Sequence, residues 1–433
     1  MLQFLLFCTT ASALAQPSVG DPRAVERVLS GKSATANAAW WGFSTEDSTA
    51  ALQAAIDSGA KRVIVPYMGE PWIVTPIRLR GNQELYLEPG VVILAKKGAF
   101  HGGGDSLLTA SGVDNLTIRG YGASLRMRKA DYQKPPYTKA EWRMGLALRG
   151  VKNVRVEGLR SESSGGDGFY IDGNGTRGWS EDVVFKDCEA HDNHRQGMSV
   201  ISAVNLTVEH CRFSKTGGTA PEAGLDLEPD TETQRLQNVL VRNSVFEQNS
   251  GDGVLVYLRP LSAKSAPVSI RFENCLMRGG NQGGRAGIRV SGVKDDGPQG
   301  TIEFVDCVTE DTGRESAGVT DKSSKNVKVR FVNCHFRNPW QSAAPAYAGP
   351  RVPIHFELRR PEIAATVGQV EFADCYVHDP VERPVLRLES IHDGGLADVH
   401  GVIFAPAAKS ARVRLGLDPK NTDIKAVAGR PAQ

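Results

Sequence analysis

The chain has 433 residues, 40% of them hydrophobic and 23% charged, with a formal charge of +2. That near-neutral balance argues against nucleic acid as the main partner, which asks for a concentrated basic face. Length alone would suggest two or three domains, with ample material for a buried core.

The N-terminus reads as an export signal over residues 1–15. Residues 2–14 are largely apolar and Ala13-Leu14-Ala15 supplies a small-x-small cleavage pattern before Gln16, although no Lys or Arg precedes the run. The run is shorter than the roughly 20 residues that cross a bilayer, and no later segment reads as transmembrane. The expectation is an exported protein, periplasmic or extracellular, without membrane insertion. Residues 16–42 have no clear period, and Trp40-Trp41 are expected to pack over one end of a core. A helix is predicted over 44–58, capped by Ser44 or Asp47 and stopped by Gly59. Short β runs follow at 62–66, 72–74, 77–79, 84–87 and 91–94. With residues 16–60 as a lid, 61–418 reads as one solenoid and 419–433 as a polar, frayed tail.

A repeat then carries the middle of the chain. Gly168, Gly197, Gly224, Gly253 and Gly287 each open a short strand, at spacings of 29, 27, 29 and 34 residues. After each glycine the first and third residues are apolar and the second and fourth vary. Period-two alternation repeated at this interval predicts an all-β parallel β-helix of about a dozen coils, with the variable positions outside. A second repeated strand ends in Cys188, Cys211, Cys275, Cys307, Cys334 and Cys375, and Ser244 takes the place in one coil. Asn or Asp precedes most of these positions, as a turn requires. The cysteines are read as a stack of buried thiols rather than disulfides. Without CxxC or a His-rich cluster, no metal site is expected.

The stretch from Asp47 to Ile56 reads Asp-Ser-Thr-Ala-Ala-Leu-Gln-Ala-Ala-Ile, and Val63-Ile64-Val65-Pro66 follows it. It resembles the start of the pectate-lyase-like superfamily. With the coil repeat, the resemblance runs from about residue 43 to 405 and implies a right-handed helix with a carbohydrate-active history. An insertion over 126–143 is basic, aromatic and proline-stiffened, and reads as a functional loop suited to acidic sugars. Another irregular stretch, 338–353, is a candidate second wall. Asn115-Leu116-Thr117 and Asn205-Leu206-Thr207 match a glycosylation pattern but recur at strand starts and read as structural.

Aligned on the glycines, the outward columns gather acids, arginines and tyrosines over five coils. The Gly224 coil is the richest, with Asp226 and Glu228 on one face and Leu225 and Leu227 inside. Two strand residues span about 6.6 Å, compatible with the roughly 6.5–9.5 Å between the carboxyls of inverting glycosidases. Asp226 and Glu228 are therefore the predicted acid and base, with Asp167 or Asp252 assisting. Arg195, Arg289, Tyr170, Tyr257, Glu222 and His194 are predicted to bind sugar.

Asp167 and Asp252 resemble the Asp-Gly acids of polygalacturonase-type glycosidases. They lie three coils apart, however, about 14 Å at about 4.8 Å per coil, too far to act as a pair. That family's Gly-His-Gly is absent, and its Arg-Ile-Lys is here Arg289-Val290-Ser291. The leading reading is an exported glycoside hydrolase acting on an acidic polysaccharide or oligosaccharide, with no cofactor. Two alternatives stand beside it. One is a polysaccharide lyase in which Asp226, Glu228 and Asp230 hold Ca²⁺; the other is a non-catalytic glycan-binding solenoid.

Overall fold

A strand that buries alternate residues needs a neighbour carrying the same pattern, and in this chain the neighbour is the next turn of the helix. A computed structural model describes residues 19–280, 285–341, 351–390, 392–409, 412–414 and 420–428; the predicted signal and Cys8 lie outside them. The strands form parallel ladders in a 12-stranded sheet and a larger 22-stranded one. In the smaller sheet neighbours follow chain order from Ile77–Arg78 to Val413–Arg414, as the dozen-coil expectation requires.

Register is kept from coil to coil, so each strand position becomes a row along the helix axis. One inward row runs Phe169, Met198, Leu225, Val254, Ile288, Ala317 and Ile354, and all seven are buried in the core. The adjacent outward row runs Tyr170, Ser199, Asp226, Leu255, Arg289, Gly318 and His355. The opposite wall of the core is a ladder of rings. Phe272, Phe304, Phe331 and Phe372 stack with centroids 4.8, 5.2 and 5.1 Å apart, close to the strand spacing itself.

The turns repeat as strictly as the strands. Asn115, Asn153, Asn205 and Asn238 adopt positive φ, between 51° and 56°, a region asparagine tolerates better than other non-glycine residues. Their amides join coil to coil, with Asn153 Nδ2 donating to Asn115 Oδ1 at 2.7 Å and Asn238 Nδ2 to Asn205 Oδ1 at 3.0 Å. Asn115 and Asn205 are thus working turn residues. The six cysteines from Cys188 to Cys375 are free and buried. Each thiol is served by main-chain carbonyls, as in Cys188 Sγ to Val156 O at 3.4 Å.

The predicted capping helix spans Thr49–Asp57 and turns Leu52, Ala55 and Ile56 inward. Three features differ from expectation. An additional helix, Pro22–Leu29, precedes the cap; Asp21 caps it and Pro22 opens it, a local signal that outweighs the missing period. The tail is not wholly frayed, because Asp423–Ala428 pairs with Leu396–Ala405 and extends the larger sheet. The 126–143 insertion is not simply a polar loop: Tyr132 and Arg143 are buried, and Arg143 donates to the carbonyls of Phe100 at 2.8 Å and Thr138 at 2.9 Å. Arg143 also lies over the Tyr132 ring, 5.2 Å from its centroid.

Two measurements check this core. Thiol titration of denatured, unreduced protein should find free cysteines at all six ladder positions; full protection would mean disulfides. Phe304→Ala opens a gap in the ring ladder and should cost about 3–5 kcal/mol in denaturant unfolding.

Candidate active site

The outward row was expected in solvent, yet at Asp226 it is covered. Asp226 is 1% exposed and Asp167 0%. The register is not at fault, since Leu225 and Leu227 point into the core as predicted. The cover comes from the side: Arg195, in the turn before the Gly197 strand, lies over the acids, and Glu141 of the 126–143 insertion pairs with it. Arg195 lies 3.7 Å from Asp167, 3.5 Å from Glu228 and 3.5 Å from Glu141. These are ion-pair distances, and the guanidinium Nε has no hydrogen-bond partner. The cation is held by charge rather than by a fitted hydrogen-bond fork.

Beneath it, Gln196 Nε2 donates to Asp226 Oδ2 at 2.7 Å, while Gln196 Oε1 accepts from the Ala223 amide at 2.8 Å. Asp226 Oδ1, both Asp167 oxygens and Ser199 Oγ are buried without hydrogen-bond partners. Four such atoms in one place are unusual, because buried polar groups are nearly always satisfied. Burial, and then the negative charge of Glu228, push the Asp226 carboxyl well above the usual carboxylate range. Burial raises Asp167 to about 7, against the pull of Arg195. Burial opposes the Arg195 cation too, but Asp167, Asp226 and Glu228 outweigh it and keep it charged. Glu228 remains partly exposed, with 27% of its side chain accessible. The site therefore sets a buried carboxyl of raised proton affinity beside a more accessible carboxyl two residues along the strand.

The remaining predicted residues divide. Tyr170 forms an adjoining wall with Met144, Ala147 and Ile201; its hydroxyl donates to Asp172 Oδ2 at 3.0 Å, and Arg149 sits 4.4 Å from its ring centroid. His194 is 5% exposed and lines a groove with Arg128, Lys129 and Asp192; burial lowers its proton affinity. Glu222 does not face the acids: its Oε1 accepts from the Gly218 amide at 2.7 Å and closes its own turn. Tyr257 lies against Gly292, away from Asp226.

Asp252 and Arg289 belong to a second cluster further along the face. Arg289 donates to Asp252 at 3.0 Å, to Glu315 at 2.7 Å and to Thr320 at 3.1 Å. Burial raises the Glu315 carboxyl, yet Arg289, Arg314 and His355 override it and hold it at about 2. So many satisfied contacts make Arg289 a structural tie rather than a free sugar clamp. Asp230 does not join Asp226 and Glu228 in a calcium-like set; among the described residues the one convergence of three metal-ligating groups is His355, Glu357 and Glu389.

Sequence reasoning missed Glu141, Gln196, Glu315 and His355. Gln196 stands in the same glycine-aligned column as Asp167 and Asp252, so that column held its signal, whereas Pro353 takes the glycine's place before the His355 strand.

Comparison with known proteins agrees with this geometry. A model of the right-handed β-helix region matches residues 96–227. The A-module of mannuronan C-5 epimerase AlgE6 from Azotobacter vinelandii superposes with a TM-score of 0.64 at 14% identity, covering 92% of this chain and 100% of that one. The Yersinia enterocolitica family 28 exopolygalacturonase gives 0.58 at 13% identity over 92% of this chain and 79% of that one. These likenesses show the fold, a right-handed parallel β-helix. Within sequence, protein YclG of Bacillus subtilis strain 168 is 25% identical over 187 residues, 40% of this chain and 32% of that protein. The chain thus matches about a third of that relative's length.

The raised Asp167 carboxyl gives this β-helix a pH signature. With a native pKa near 7 and an unfolded one near 3.9, the folded state binds the extra proton between those values. Stability tied to this group is complete below about pH 4 and is lost as pH rises through about 7. Asp167→Asn should therefore match the parent at pH 4 and exceed its melting temperature at pH 8. Equal pH profiles for the two proteins would contradict the assignment.

Proposed function

We propose that this β-helix is a glycoside hydrolase acting on an acidic polysaccharide outside the cytoplasm, with Asp226 as general acid and Glu228 as general base. The observation that carries the reading is the pair itself: a buried carboxyl pushed up in proton affinity beside an accessible carboxylate on the same strand face. Environments that split two carboxyls in this way are how acid and base roles are assigned. Their backbone positions stand about 6.6 Å apart and the two carboxyls share a hydrogen bond in this structure, so an entering sugar and water have to part them.

In this scheme Asp226 passes its proton to the glycosidic oxygen as the bond to the anomeric carbon breaks. Glu228 takes a proton from the water that attacks that carbon from the other side. Asp167, uncharged below about pH 7, limits the negative charge beneath the sugar. Arg195 has to swing aside for substrate to reach Asp226, and its loose ion pairs suit that movement. A substrate carboxylate offers it a bidentate partner that its present contacts do not provide. Arg128 and Lys129 line the adjoining groove with His194, in keeping with an anionic chain. The likeness of fold to an exopolygalacturonase and a mannuronan epimerase supports a carbohydrate substrate. The calcium-lyase alternative loses ground because Asp226 Oδ2 already accepts from Gln196 and Asp230 does not converge with Asp226 and Glu228.

Asp226→Asn and Glu228→Gln should each lower turnover about 10²- to 10⁴-fold while circular dichroism and melting temperature stay close to the parent. The readout is reducing ends released from a panel of uronate-containing polysaccharides, with ultraviolet absorbance followed in parallel. Unsaturated products would overturn hydrolysis, and near-parental turnover in both variants would remove this coil from the chemistry.

A further inference from the structure

Four coils beyond Asp226 in register, about 19 Å at about 4.8 Å per coil, the same outward rows carry His355 and Glu357 on the strand Ile354–Leu358. Glu389 is the in-register neighbour of Glu357 on the next strand. Alternation puts His355 and Glu357 on one face, and pairing brings Glu389 beside them, so three ligand atoms fall within 4.8 Å of one another. His355 is 1% exposed, and its Nε2 is buried with no hydrogen-bond partner, 3.2 Å from Glu389 Oε2. Glu357 is 5% exposed; one oxygen meets Arg359 and the other lies 3.5 Å from Thr320 Oγ1. A buried imidazole nitrogen aimed at two carboxylates is a donor set without an acceptor.

We propose that His355, Glu357 and Glu389 form a binding site for a divalent transition-metal ion of the zinc class. One imidazole nitrogen with two carboxylates is a zinc-type ligand set, whereas calcium takes oxygen ligands. Bonds of about 2.0–2.2 Å ask only that the three atoms draw together slightly. The local charge permits it. Asp252, Glu315, Glu357 and Glu389 face Arg289, Arg314 and Arg359, so the acids exceed the bases by one before a cation arrives. Glu389, with 32% of its side chain exposed, marks the open side, where water or a sugar oxygen completes the shell. The ion would tie the strand after the 338–353 stretch to the next coil.

Isothermal titration of the full-length folded protein with Zn²⁺ tests this, with Ca²⁺ as a parallel titrant. One saturable Zn²⁺ equivalent is expected, together with a higher melting temperature and visible absorption bands on loading Co²⁺ instead. His355→Gln and Glu389→Gln should each weaken Zn²⁺ binding by about 100-fold or more, since even outer-shell changes cost about 10- to 100-fold. Glu389 is partly exposed, so its variant keeps the test valid if His355→Gln folds poorly. Asp226→Asn should bind Zn²⁺ as the parent does. The alternative imidazole site is His335 Nδ1 with His378 Nε2, 3.2 Å apart. Binding that survives both ligand variants, or is abolished by His335→Gln, overturns the assignment, as does the absence of saturable binding.

Discussion

In-register stacking of one coil on the next governs everything else in this molecule. Parallel pairing holds equivalent residues about 4.8 Å apart, so a single residue choice becomes a row along the axis. Where the choice is Phe, the row is a ladder of rings; where it is Asn, a ladder of amides at the turns. Where it is charged, equal signs would stack on each other, and the chain alternates them instead. On the outer face of the larger sheet, Arg119 bridges Glu84 and Glu157, and Arg330 bridges Glu303 and Glu371. Single exposed pairs of this kind contribute little, and linked ones more.

The same stacking explains the electrostatics of the smaller sheet. Acids from neighbouring coils are forced together, and a buried arginine is what neutralises them. Arg289 does so with fitted hydrogen bonds, which marks a rigid tie. Arg195 does so at longer range and leaves several oxygens unsatisfied beneath it. Two arginines that neutralise acids on one face thus differ in how tightly they are held, and that difference separates scaffold from candidate site.

Much of the fold could be read from the residues. The glycine-led alternation predicted register, inward residues and coil number, because each depends only on neighbours along a strand. The cap helix and thiol ladder were equally local. The site was legible in part: Asp226, Glu228, Asp167 and Arg195 do converge. What failed was exposure. Arg195, which lies over the acids, pairs with Glu141, some 85 residues before Asp226 in sequence, and a column of aligned strands says nothing about what a distant loop brings to it. Asp252 and Arg289 were drawn into the site because a row has no visible end in sequence. His355 was missed since the 338–353 stretch breaks the spacing that the alignment relied on.

The alternation of inward and outward rows has a consequence for how such a chain changes over time. Leu225 and Leu227 belong to the core, while Asp226 between them does not. Structure and chemistry are thus written on alternate letters of one strand, each nearly indifferent to the other. A lineage can rewrite the outward letters of a coil, exchanging an acid for a histidine or an arginine, without first rebuilding the wall behind them.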